Sequence, residues 1–151
     1  MKITKRGEYA LKALLAMAFV YGQKTLSLRE ISREERLPVK FLEQIMMVLK
    51  RNDFVQSTKG KHGGYALSRP PQTITVGEVI RAVDGPLSPV GNAKEIERRI
   101  RQDDRHPGLY STLLDVRNAI SEILDHKSLA DICTRSLEIG RSSESRQMYY
   151  I

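Results

Sequence analysis

The 151-residue chain carries 25 Lys and Arg against 18 Asp and Glu, a formal excess of +7, with 40% hydrophobic residues and a single cysteine. The hydrophobic fraction excludes wholesale disorder, and the length allows one domain or a small domain with an appendage. Cys133 alone excludes an internal disulfide and an all-cysteine metal site, and it fits a reducing cytoplasm.

All of the charge excess lies in residues 1–85, with 15 cations and 8 anions; residues 86–151 hold ten of each. That division points the first half at a polyanion and the second at protein. The basic start followed by apolar Ala13 to Tyr21 imitates a secretion signal. Glu8 and Lys12 interrupt it, however, and no small-x-small cleavage site follows. The apolar run also falls far short of the ~20 residues of a membrane span, so a buried helix is expected there.

Residues 6–21 place Tyr9, Leu11, Leu14, Leu15, Ala18 and Phe19 at helical spacing, and Gly22 ends the pattern. Ser27-Leu28-Arg29-Glu30 is a capping box opening a helix over 28–35. After a turn at Arg36-Leu37, Pro38 opens a helix running to Lys50, with Phe41, Leu42, Ile45, Met46 and Leu49 inward. Asn52-Asp53 supplies a residue tolerant of left-handed geometry. The stretch Lys59-Gly60-Lys61-His62-Gly63-Gly64 then reads as the glycine-rich basic tip of a hairpin flanked by Phe54-Val55 and Tyr65-Ala66-Leu67.

Pro70-Pro71 closes the ribbon, and a second capping box, Thr75-Val76-Gly77-Glu78, opens a helix over 76–83. Gly85-Pro86-Leu87-Ser88-Pro89 reads as a linker and 93–102 as a charged, exposed helix, broken by His106-Pro107-Gly108. Residues 109–125 carry Leu109, Leu113, Val116, Ile120, Ile123 and Leu124 on one stripe. A short last helix begins at Leu129, and a polar tail over 140–147 ends in Met148-Tyr149-Tyr150-Ile151.

Helix pair followed by ribbon is the order of a winged helix-turn-helix, a mainly α DNA-binding fold with a two-stranded wing. The outer face of the helix 38–50 bears Lys40, Glu43, Gln44, Met47 and Lys50. In a major groove Glu43 can accept from a cytosine amino group, Gln44 can pair with adenine, and Lys40 can reach guanine or phosphate. Lys59 and Lys61 suit phosphates or a narrow minor groove, with His62 a turn residue beside them. Lys5, Arg6 and Tyr9 are candidates for backbone contacts, although core packing also explains Tyr9. Ser27, at the start of the second helix, completes the candidate set. An isolated helix face of this kind is usually solvated surface; the elements on either side of it shift the reading towards DNA.

Lys5-Arg6-Gly7-Glu8-Tyr9-Ala10-Leu11, Phe41-Leu42-Glu43-Gln44-Ile45, Gly63-Gly64-Tyr65-Ala66-Leu67 and the run from Ile74 to Gly85 together resemble the Rrf-two family of bacterial winged-helix regulators. The resemblance is dense over residues 1–90 and loose beyond. It implies dimeric binding to a near-palindromic DNA site, with Glu43, Gln44 and Lys59 as readers. Pro38 departs from the family's usual serine cap, and Lys59 stands where arginine is common. Cluster-binding members carry three cysteines between the fourth helix and the dimerisation helix, whereas 86–108 contains none and only His106 offers an imidazole. Residues 85–90 and the closing four residues are similar instead to the cluster-free, cysteine-metabolism branch, so no cofactor is expected. Cys133 is either an inert buried thiol or a single-thiol redox sensor.

No phosphate loop, nucleophile elbow or paired metal motif is present, and Asp103-Asp104 beside Arg105-His106 reads as a solvated loop, so an enzyme is not expected. The expectation is a cytoplasmic homodimeric regulator, a repressor, built from a winged-helix domain (1–85), a linker and effector-type loop (86–108), an α-helical dimerisation arm (109–139) and a tail (140–151). The other reading is an interaction protein that captures a cysteine-biosynthesis enzyme through Tyr150 and Ile151.

Overall fold

The computed structural model describes residues 2–102 and 105–148. Asp103, Asp104, Tyr149, Tyr150 and Ile151, all named above, lie outside the described residues. Among the described residues no helix is long and apolar enough to cross a membrane.

The chain order is α1 (Lys5–Phe19), α2 (Leu28–Glu35), α3 (Val39–Arg51), β1 (Val55–Thr58), β2 (Gly64–Leu67), a 3-10 turn (Pro71–Thr73), α4 (Val76–Asp84), α5 (Ala93–Gln102), α6 (Pro107–Asp125) and α7 (Leu129–Met148). Local chemistry sets most of these boundaries. Thr4 accepts the Gly7 amide and caps α1. Ser27 and Glu30 form the expected reciprocal cap on α2, and Thr75 and Glu78 repeat it on α4, each satisfying two amides that the first turn leaves unpaired. Arg36 ends α2 in left-handed geometry, and Asp53 does the same between α3 and β1. Pro38 is the residue that precedes α3 rather than its first helical residue: its backbone is extended and it offers no side-chain cap.

The main core joins α1, α2, α3 and the root of the ribbon, with Leu14, Met17, Leu26, Ile31, Leu42, Ile45, Met46 and Leu49 buried. Tyr9 meets Phe41 edge-on, ring centroids 5.7 Å apart, fastening α1 to α3. β1 and β2 pair antiparallel from Val55↔Leu67 to Thr58↔Gly64. Leu26 and Tyr65 exchange backbone hydrogen bonds of 2.9 and 2.7 Å, which seats the ribbon beside the helix-turn-helix.

The second half departs from expectation in three places. Ile96, on the helix read as exposed, is completely buried because α5 lies along α6, with the Arg99 guanidinium 5.7 Å from the Tyr110 ring. α6 begins two residues early because Pro107 sits in its first turn, where a missing N–H costs no bond. The short last helix and polar tail become one 20-residue helix. No proline interrupts it. The serines at 136, 142, 143 and 145 each donate to the carbonyl four residues back instead of unwinding the chain.

Candidate nucleic-acid interface

α3 divides as its periodicity requires. Leu42, Ile45, Met46 and Leu49 are buried, and Lys40, Glu43, Gln44, Met47 and Lys50 are all exposed on the opposite face. Glu43 is the one carboxylate on α3, against Lys40, Lys50 and Arg51. Lys50 donates to Ser57 Oγ at 2.7 Å, tying the last turn of α3 to the first strand of the ribbon.

At the tip of the ribbon the Gly63 amide donates to the Gly60 carbonyl at 3.0 Å. A Cβ at Gly63 would stand 2.2 Å from the Thr58 carbonyl oxygen, so only glycine allows this closure. Lys59, Lys61 and His62 project from the tip and are exposed. The His62 carbonyl accepts from Thr25 at 3.1 Å, and this latch brings Lys24 beside Lys61 around an open pocket that also takes in Glu30. Lys24 and Thr25 were passed over in the sequence: they sit in an ordinary-looking turn, and the contact spans 37 residues. Arg51, exposed at the end of α3, was passed over as well.

At the start of α1, Lys5 and Arg6 are exposed and Tyr9 is half-buried against Phe41. Glu8 accepts from Lys5 at 3.0 Å and lies 3.2 Å from Lys12. Hydrogen bonding to these ammonium groups holds the Glu8 carboxyl below its ordinary range, and the same bond to Glu8 raises Lys5. Both side chains reach solvent, so the pair contributes little to stability. The Ser27 backbone amide, and then its hydroxyl, lower the Glu30 carboxyl. The Ser27 hydroxyl itself is engaged as the α2 cap.

The stripe on α6 is split. Ile120 and Leu124 pack within the chain against Val76, Ile80 and Leu87. Leu109, Val116 and Ile123 stay 56%, 44% and 60% exposed, while Leu113 is half-buried. The series 109, 113, 116, 120, 123 alternates steps of four and three, the spacing of a coiled-coil seam. Cys133 is half-buried on α7, and that burial pushes its thiol up.

A helical pair, an outward polar face on the second helix and a basic ribbon latched beside it define a winged helix-turn-helix transcriptional regulator. The chain belongs to the Rrf2 family: the family model, described as an iron-dependent transcriptional regulator, matches residues 3–135. It is 31% identical over 151 residues, the whole of both chains, to the HTH-type transcriptional regulator CymR of Bacillus subtilis. The structure of CymR, the global cysteine regulator of B. subtilis, superposes with a TM-score of 0.77 over 89% of this chain and 98% of that one. A transcriptional regulator from Listeria innocua, 33% identical, gives 0.76 over 90% and 88%. The HTH-type regulator IscR of Cereibacter sphaeroides is 38% identical over 86 residues, 56% of each chain. Each of these relatives is named as a transcriptional regulator.

The family description names iron, and the residues present do not fit an iron–sulfur cluster. Such a cluster takes several thiolate or imidazole ligands at close range. The segment between α4 and α6 has no cysteine, and Cys133 lies half-buried on α7.

Proposed function

We propose that the chain is a homodimeric repressor that reads a two-fold-related DNA site without an iron–sulfur cluster, and that it serves cysteine or sulfur metabolism. The outward face of α3 carries the reading. Glu43 and Gln44 stand exposed near its middle, with cations at both ends, in the arrangement a major-groove helix needs. Lys59 and Lys61 grip phosphates from the wing, and Lys5, Arg6, Lys24 and Lys50 add sequence-independent attraction along the same duplex. Tyr9 acts mainly by packing, and Ser27 by capping α2 so that its amino end faces the backbone.

Dimerisation through α6 is supported by Leu109, Val116 and Ile123, which stay exposed at seam spacing. The full-length similarity to CymR, a global cysteine regulator, supports the pathway. Selection of bound duplexes from a random pool tests this reading. An inverted repeat with half-sites about one helical turn apart, ~10 base pairs, is the expected product. A single asymmetric motif, or no enrichment, would overturn it.

A further inference from the structure

α4 is fastened at both ends. At its start, the Val76 amide donates to the Lys127 carbonyl at 2.8 Å and the Leu129 amide to the Ile74 carbonyl at 2.9 Å, with Thr75 and Ser128 in an antiparallel bridge. One turn further on, both terminal nitrogens of Arg81 donate to the two oxygens of Asp125, at 2.6 and 2.8 Å. A Cβ at Gly77 would stand 2.0 Å from Asp125 Oδ1 and 3.1 Å from the Arg81 guanidinium, so the carboxylate occupies room that only glycine leaves. Beyond the elbow Ser128 and Asp131 cap α7, and Leu129 is buried in the main core. At the other end, Asp84 accepts the Thr4 amide at 2.9 Å and the Thr4 hydroxyl, and so holds the cap of α1 beside Lys5 and Arg6.

The elbow between α6 and α7 is therefore bonded to the same short helix that holds the DNA-facing end of α1. From this geometry we infer that Arg81, Asp125 and Gly77 are positioning residues that set the spacing of the two half-sites, by fixing the angle between the arm α6 and the winged helix. A forked guanidinium–carboxylate pair prescribes direction as well as distance, which an ammonium cannot do. The leverage is large. The 19 residues of α6 span about 28 Å at ~1.5 Å per residue, so a tilt of about 7° at the elbow moves the far end by about 3.4 Å. That is the rise of about one base pair.

The inference rests on the dimer proposed above, and the test separates the two. Duplexes carrying the inverted repeat selected by the unaltered protein are remade with central spacers shortened or lengthened by one and two base pairs. Affinity is read by fluorescence anisotropy, oligomeric state by sedimentation velocity and folding by near-ultraviolet circular dichroism. The unaltered protein should show one optimum, falling about tenfold for a single base pair either way. Asp125→Asn, which keeps shape but loses the charged fork, and Gly77→Ala should remain folded dimers and bind a single half-site as before. They should lose about tenfold at the optimum and vary no more than about threefold across the series. Arg81→Lys should behave like Asp125→Asn, and the charge-reversed pair R81D/D125R should regain part of the optimum. Dimeric variants with the unaltered spacing curve would overturn the inference and leave the dimer reading standing, as would a loss fully reproduced on single half-sites. An unaltered protein that is monomeric, or that selects no repeat, would remove the dimer reading and the inference with it.

Discussion

Ile123→Asp should convert the protein to a monomer without unfolding it. Ile123 is 60% exposed on α6 and lies outside the small cluster of Val76, Ile80 and Leu87 that Ile120 and Leu124 help to cover. An isoleucine side chain presents on the order of 180 Å², so the two copies at a two-fold interface cover roughly 220 Å², worth about 5 kcal/mol at ~25 cal/mol per Å². Losing that weakens the dimer by roughly 4 × 10³-fold, and desolvating two new carboxylates adds to the loss. Within one chain the cost is small, less than about 1 kcal/mol, chiefly from a negative charge in the last turn of a helix. Ile120→Asp would confuse the two effects because that side chain belongs to its own core. Sedimentation velocity at micromolar concentration, with thermal unfolding as the control, reads the difference. A folded Ile123→Asp protein that still sediments as a dimer would refute α6 as the interface.

Lys59→Ala should weaken binding to all duplexes alike and lower the slope of log affinity against log salt by about 2 per dimer, one phosphate contact per wing; an unchanged slope in anisotropy titrations would place the wing off the backbone. Burial raises the Cys133 thiol, so its thiolate is scarce at neutral pH and grows only as pH climbs past the ordinary thiol range. Alkylation at pH 7 should accordingly be slower than for a free cysteine and should accelerate with pH, and a fast reaction at pH 7 would instead mark a sensor thiol. Protein purified without oxygen should be colourless and bind DNA equally with and without added iron; a visible band with stoichiometric iron and sulfide would contradict the ligand argument.

Features built from neighbouring residues were legible in the sequence. The reciprocal caps at Ser27 and Thr75, the two faces of α3, the left-handed Asp53 and the glycine tip of the wing all follow from spacings of a few residues. Features that join distant residues were not. The Arg81–Asp125 fork spans 44 positions and the Thr4–Asp84 bond 80, and no local pattern distinguishes these charges from solvated ones. The α6 stripe was visible as a stripe, but which part of it the chain covers itself depends on where α4 and Leu87 lie. The length of α7 was hidden for a different reason. Its serines and Gly140 read as loop, although serine in a helix can bond backwards to its own backbone. The exposed positions of Glu43, Gln44 and Lys59 followed from helix and hairpin patterning, whereas Lys24 comes beside the wing only through the Thr25–His62 latch.

On this reading the outer face of α3 reads bases while the wing and helix ends supply affinity. Repeating the duplex selection with Glu43→Ala tests it most directly. Preference should vanish at one symmetric pair of positions, at about 1–3 kcal/mol per base pair, with the rest of the repeat intact and affinity for random DNA unchanged. The same motif at full strength, or an equal loss on specific and random duplexes, would contradict the assignment of Glu43 as a base reader.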